Sequence, residues 1–129
     1  MRQATKFILT LQTQYKENYG AHAWDGEGEC PQYWKFKGGS EYVATTLSMN
    51  EVLDSAYVEQ VAEDYSPYVS RDTDYDEEYV ISWKIETEKD FLARHRREAD
   101  EYSQMGICEY HMPLTVDEHL VTQEERNIE

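Results

Sequence analysis

Cysteine, proline and basic residues are all scarce in this 129-residue chain, and no long apolar run occurs in it. Two cysteines, Cys30 and Cys108, are too few for the disulfide framework of a small secreted domain, which points to a reducing, cytoplasmic setting. No stretch approaches the roughly 18 consecutive apolar residues of a membrane span. The first 15 residues alternate apolar and polar side chains where an export signal would carry a basic head and an apolar core. Three prolines and six glycines form no low-complexity tract, and no internal repeat is visible. The length fits one domain.

Base is the most consequential shortage. Twelve Lys and Arg face 27 Asp and Glu, a formal net charge of -15. Such a surface repels nucleic acid and anionic lipid and attracts basic protein, so direct binding to DNA, RNA or membrane is disfavoured. The imbalance is local. Residues 1–50 are neutral, whereas residues 51–78 carry ten acids and one base, Arg71. From Glu109 onward six acids stand against Arg126 alone.

Hydrophobic residues make up 40% of the chain, enough for a packed core, and their spacing outlines the elements. Phe7, Leu9, Leu11 and Tyr15 alternate with polar residues over Thr5 to Tyr15, the period of a half-buried strand. Gln32 to Lys37 alternates again, with Trp34 and Phe36 assigned to the core, and Glu41 to Thr46 follows. The Gly38-Gly39 pair between them predicts a hairpin turn. Ser48 and Glu51 are spaced as a capping box, with Leu47 and Val52 as its hydrophobic staple. They open a helix predicted from Met49 to Asp64, with an apolar stripe of Met49, Val52, Leu53, Ala56, Tyr57 and Val61. Ser66-Pro67 is expected to end it, and Tyr68 to Glu78 to form an acidic loop.

Tyr79 to Thr87 reads as a second clear strand. A box at Thr87 to Asp90 opens a second helix, with Phe91, Leu92, His95, Ala99, Tyr102 and Met105 on one stripe and Gly106 at its end. Ile107 to Met112 suggests a short edge strand. The pattern predicts an α+β fold: a small antiparallel or mixed β-sheet with two main helices packed on one face. Residues 1–114 form the expected domain and 115–129 an acidic C-terminal helix or tail.

Several chemical readings compete. Asp25, Glu27 and Glu29, and again Asp72, Asp74 and Asp76, have the alternation of half a calcium loop, but the sixth-position Gly and twelfth-position Glu are missing. His22, Cys30, Cys108 and His111 could supply four zinc ligands, without the Cys-x-x-Cys hook of a structural site. No cofactor is therefore predicted. Arg94, Arg96 and Arg97 form the main basic cluster, yet Asp90, Glu98, Asp100 and Glu101 lie four residues from them, as in a salt-bridge-laced helix. No phosphate-cradling loop is present, since Gly26 and Gly28 sit among acids. No nucleophile elbow accompanies either cysteine.

What remains is acid interleaved with tyrosine. Glu59 and Glu63 share a helix face roughly 5 to 6 Å apart, and DNA likewise presents closely spaced negative charges. Asp54, Asp64, Asp72, Asp74, Asp76, Glu77 and Glu78 extend the acidic run, and Tyr68 and Tyr75 lie within it. Trp24 and Tyr33, in the Gly-rich segment Trp24 to Gly39, read equally as contact residues or as core. In charge and size the chain resembles the small acidic DNA-mimic inhibitors that phages and mobile elements use against restriction, CRISPR or other host nucleases. That resemblance implies an interaction module that occupies the basic nucleic-acid-binding surface of a host protein, with no catalysis of its own. The alternative is a small metal- or ligand-binding enzyme domain built on the Trp24 to Gly39 loop with His22 or His111. Self-association, as a homodimer, would mark a third reading in which the acidity serves a structural subunit.

Overall fold

The computed structural model describes residues 4–107 and 109–127. Its centre is the strand β1, Phe7–Asn18. On one side β1 pairs antiparallel with β5, Asp76–Thr87, over its whole length. On the other side it pairs antiparallel with β2, Trp34–Gly38, and with β3, Glu41–Leu47. Two-residue strands close the edges: β4, Arg71–Asp72, beside β5, and β6, Leu114–Thr115, parallel to β3. The result is a curled mixed sheet, and the α+β class is borne out.

The alternation read in the first strand is real, and Leu9 and Leu11 are fully buried. Thr10 is equally buried, because helices cover both faces of β1 where both main helices were expected on one. Leu9 and Leu11 join Val58, Val61, Ala62 and Val69 of helix α3, Ser55–Val69, in one core. Helix α4, Glu88–Gln104, lies against the other face, where its Arg94 reaches Glu86 and Glu41. Those two residues stand beside Ile8 and Gln12 in the register of the sheet.

Gly38-Gly39 does not turn a hairpin. β2 and β3 run in the same direction along β1, so residues 34–47 act as one long strand interrupted at the glycines. The interruption is a close backbone approach: Thr13 N donates to Ser40 O at 2.9 Å, and a Cβ at Gly39 would overlap the Thr13 carbonyl. The actual reversal from β1 to β2 is the segment 19–33, which begins with the short helix α1, Tyr19–His22. Phe36, assigned to the core from its alternation, is 63% exposed, and Trp34 is half-buried. Among the described residues the helix beside β2 is the one-turn α1, too short to cover them.

The first long helix also differs from its expectation. The capping box forms as read, with Ser48 N donating to Glu51 Oε1 at 2.9 Å, but it opens only the one-turn helix α2, Met49–Val52. Asp54 then caps α3 afresh, accepting from Tyr57 N at 3.2 Å. A second competent N-cap six residues after the first divides one helix into two. The stripe shifts with the break, so Met49, Leu53, Ala56 and Tyr57 are exposed. Pro67 lies inside the last turn of α3, which continues to Val69; there a missing N–H costs a single bond, and Ser70 Oγ donates to Ser66 O at 2.8 Å. The acidic segment after it is accordingly strand at both ends, not a loop.

In α4, Phe91 and His95 are buried as the stripe requires, whereas Leu92, Tyr102 and Met105 remain exposed. Gly106 follows the helix with a φ of +81°, the left-handed conformation expected of a terminating glycine. Residues 109–112 form no strand; the edge strand is β6, two residues on. The C-terminal segment forms α5, Val116–Asn127, which packs against α3 and β3 through buried Val116 and His119. Its start is a reciprocal box: Glu118 N donates to Thr115 Oγ1 at 3.2 Å and Thr115 N to Glu118 Oε2 at 3.4 Å.

Candidate functional site

Two bases, Arg94 and Arg71, are paired with carboxylates within the fold. The best-connected base, Arg94, is committed inward. Its Nε and Nη2 donate to Glu86 at 2.7 to 3.2 Å, and Nη1 and Nη2 donate to Glu41 at 2.9 and 3.2 Å. Glu98, one helical turn on, stands 3.5 Å away. For Glu41, burial opposes ionisation, but hydrogen bonds from Arg94 and Gln12 outweigh it and hold the carboxyl below its usual range. The Glu86 carboxyl is held down chiefly by its bonds to Arg94. The pairings read from spacing for Arg96 and Arg97 do not form among the described residues.

Arg71, the one base of the acidic region, is also committed. It lies 3.4 Å from Asp76 Oδ1 and 3.8 Å from Glu78 Oε1. Glu78 is only 4% exposed, so this member of the acidic run faces the interior. Thr13 Oγ1 donates to its Oε2 at 2.7 Å and Tyr42 Oη at 3.1 Å. Burial, together with the Glu78 charge, pushes the Tyr42 phenol up to about 12. Asp76 accepts from Thr73 Oγ1 at 2.7 Å, and Glu77 is half-buried.

The other acids stay at the surface. Glu59, Glu63 and Asp64 are exposed on α3, Asp54 at its start, and Asp72 and Asp74 at the β4–β5 turn. No Lys or Arg occurs in α3, and none of these six carboxylates forms an ion pair among the described residues. Asp64 accepts from Gln60 Nε2 at 2.8 Å, a neutral neighbour. Tyr57, Tyr68 and Tyr75 are exposed beside them.

Two of the predicted regions are tied together by a residue that the spacing of acids did not single out. Asn18 ends β1 fully buried. Its Oδ1 accepts from Gly20 N at 3.1 Å and Tyr33 N at 2.9 Å, while Nδ2 donates to Asp74 O at 3.0 Å. The β4–β5 turn thereby sits against the segment 19–33, with the Tyr75 ring 5.6 Å from that of His22. Trp24 and Tyr33 are both exposed there, and Trp24 Nε1 donates to Glu27 O at 3.0 Å. Local hydrogen bonding also occupies Asp25 in this loop, since Glu27 N donates to Asp25 Oδ1 at 3.0 Å.

The zinc candidates are not brought together. His22 stands 3.5 Å from Glu17, His111 lies 3.5 Å from Glu109, and Cys30 Sγ approaches only the Pro31 carbonyl. Cys108 lies outside the described residues. Among the described residues no three His, Cys, Asp or Glu side chains are grouped to hold a metal, and no helix is long and apolar enough to cross a membrane. Compared with known proteins, the chain matches no family model, no curated protein and no solved structure.

Proposed function

We propose that this chain is an acidic protein-interaction module that occupies the basic, nucleic-acid-binding surface of another protein, as a DNA-mimic inhibitor does. The observation that carries the reading is the set of exposed, unpaired carboxylates on α3 and the β4–β5 turn. Arg71, the one base of the acidic region, is paired with Asp76 and Glu78, and the exposed carboxylates of α3 and the β4–β5 turn form no ion pair among the described residues. Unneutralised carboxylates on rigid backbone repel one another in the free protein, and that repulsion is relieved when lysines and arginines arrive. The exposed Tyr57, Tyr68 and Tyr75 add ring area beside the charge, the composition expected where polar attraction is joined by packing. Asp54, Glu59, Glu63, Asp64, Asp72 and Asp74 are the contact carboxylates in this proposal. Glu78 is not among them, because it is buried, with Oε2 hydrogen-bonded to Thr13 and Tyr42 and Oε1 facing Arg71.

Immobilised protein exposed to nuclease-treated bacterial lysate at low salt tests the reading. Proteins that bind nucleic acid, retained on the column and released by duplex DNA, are the expected result. Retention of nothing, or only of proteins that DNA does not displace, would reduce the acidity to a matter of solubility.

A further inference from the structure

Strand β5 is a sheet edge along most of its length. β4 pairs only with Glu77 and Glu78, and from Tyr79 to Thr87 no strand lies on the side of β5 away from β1 among the described residues. Ile81 is 53% and Trp83 43% exposed there. β5 bulges between Val80 and Ser82, which stand opposite the neighbours Thr13 and Gln12. From Ser82 to Thr87 the pairing with β1 is uninterrupted.

The register also identifies the free backbone groups. Thr13 N donates to Ser40 O and Tyr19 N to Tyr33 O, so odd-numbered residues along β1 turn their backbone groups toward β2 and β3. Even-numbered residues turn toward β5, since Glu88 N donates to Lys6 O and Asn18 N to Tyr75 O. Thr10 and Ile8 therefore bond Lys84 and Glu86, which stand opposite them. The backbone groups of Trp83 and Ile85 point outward, as does the N–H of Thr87, whose carbonyl opens α4 as its N-cap. Among the described residues no hydrogen bond reaches these outward groups. A row of unpaired donors and acceptors on an extended edge is a template for another strand.

Charge selects which strand. The edge carries one base and one acid, Lys84 and Glu86, within a chain of net charge -15. Laid antiparallel on a second copy about a two-fold axis at Ile85, it is complementary to itself. Ile85 exchanges both backbone bonds with the partner's Ile85, and Thr87 N–H reaches the carbonyl of the partner's Trp83. Lys84 stands opposite the partner's Glu86 in a non-hydrogen-bonded pair, the class in which side chains come closest, and the axis makes the pair twice. Glu86 also holds Arg94, and a carboxylate has acceptor sites for both. An axis at Trp83 would draw the bulge into the ladder and lose both charge pairs.

We propose that the protein self-associates through this edge, a second copy adding its own β5 antiparallel so that one sheet runs through the dimer. The axis stands perpendicular to the sheet, which keeps both α3 helices on the same face. The pairing uses only β5, so it stands or falls apart from the basic partner proposed above.

Sedimentation velocity of the full chain from about 10 µM to about 1 mM tests it, in about 0.5 M NaCl to screen the repulsion between two acidic chains. Reversible passage from the 15.3 kDa monomer to a dimer is the expected result. Amide exchange read by NMR over the same range supplies the signature of the edge. Protection of Ile85 and Thr87 should rise about tenfold with concentration, while Lys84 and Glu86, bonded to β1 in either state, stay protected throughout. Lys84→Glu sets like charges opposite each other twice and should weaken the dimer about tenfold. A chain that stays monomeric across the range, a dimer that leaves Ile85 and Thr87 unprotected, full protection of both amides in the monomer, or a Lys84→Glu dimer as tight as native would each overturn the proposal.

Discussion

Replacing Arg94 with methionine removes the charge that two inward carboxylates share while keeping the length of the side chain. In the native fold five donor–acceptor contacts of 2.7 to 3.2 Å join Arg94 to Glu41 and Glu86. The side chains of Arg94, Glu86 and Glu41 are 15%, 14% and 24% exposed. Breaking a fully buried ion pair from one side costs about 3–5 kcal/mol, and partial exposure places this network at the lower end, about 3 kcal/mol. With an unfolding entropy of about 2.1 cal/mol/K per residue, that corresponds to a fall in Tm of roughly 11 °C for a chain of this length. The assay is urea or thermal unfolding across pH. Both carboxyl pKa values are held low in the fold, so their contribution is present above the unfolded carboxylate value of about 4.3 and is lost as pH falls through the folded values. The gap between native and R94M protein should therefore be full at pH 7 and close on acidification. A loss below about 1 kcal/mol at pH 7, or a gap that ignores pH, would refute the network's role.

Other substitutions separate structural from surface carboxylates. Glu78→Gln should cost about 1–3 kcal/mol by chemical denaturation, since an amide cannot satisfy Thr13, Tyr42 and Arg71 together; a neutral result would return Glu78 to the surface set. Glu59→Gln with Glu63→Gln should change stability by no more than about 0.5 kcal/mol, as expected for exposed positions. Asn18→Ala removes three hydrogen bonds from a fully buried side chain. Hydrogen exchange should then quicken at Gly20 and Tyr33 together, whereas a change at only one would contradict the shared anchor. Gly39→Ala should destabilise by about 1–3 kcal/mol through overlap with the Thr13 carbonyl, and Gly28→Ala by about 1 kcal/mol through backbone strain alone, since its φ is +74° while its Cβ would meet nothing within 4 Å.

Where local chemistry decides an element, the residues announce it. The alternation of β1 and β5, the Ser48–Glu51 box and the Gly106 terminus all follow from neighbours a few residues apart. Gly38-Gly39 misleads because two glycines serve a turn and a close backbone approach equally well, and only the partner strand distinguishes them. The same limit applies to Arg94. Its helical neighbour Glu98 is legible from spacing, but Glu41, 53 residues away, is not. The Thr115–Glu118 box had a visible signal, a threonine three residues before a glutamate, and the C-terminal helix could have been placed from it. Of the acids, Glu59, Glu63 and Asp64 face solvent as the helical period implies, while Glu78 turns inward because a strand alternates its side chains. A cleft beside His95 draws on α4, β3 and the segment that follows α4, so no single window of sequence contains it.

The most direct test of the central claim compares two forms of the protein against one purified partner recovered by DNA displacement. One form is native, and in the other Glu59, Glu63, Asp64, Asp72 and Asp74 are changed to Gln or Asn. The proposed function predicts native affinity that falls steeply with added salt, and at least about a hundredfold weaker binding by the neutralised form with a flatter salt dependence. Affinity of the neutralised form within twofold of native, with the same salt slope, would contradict it.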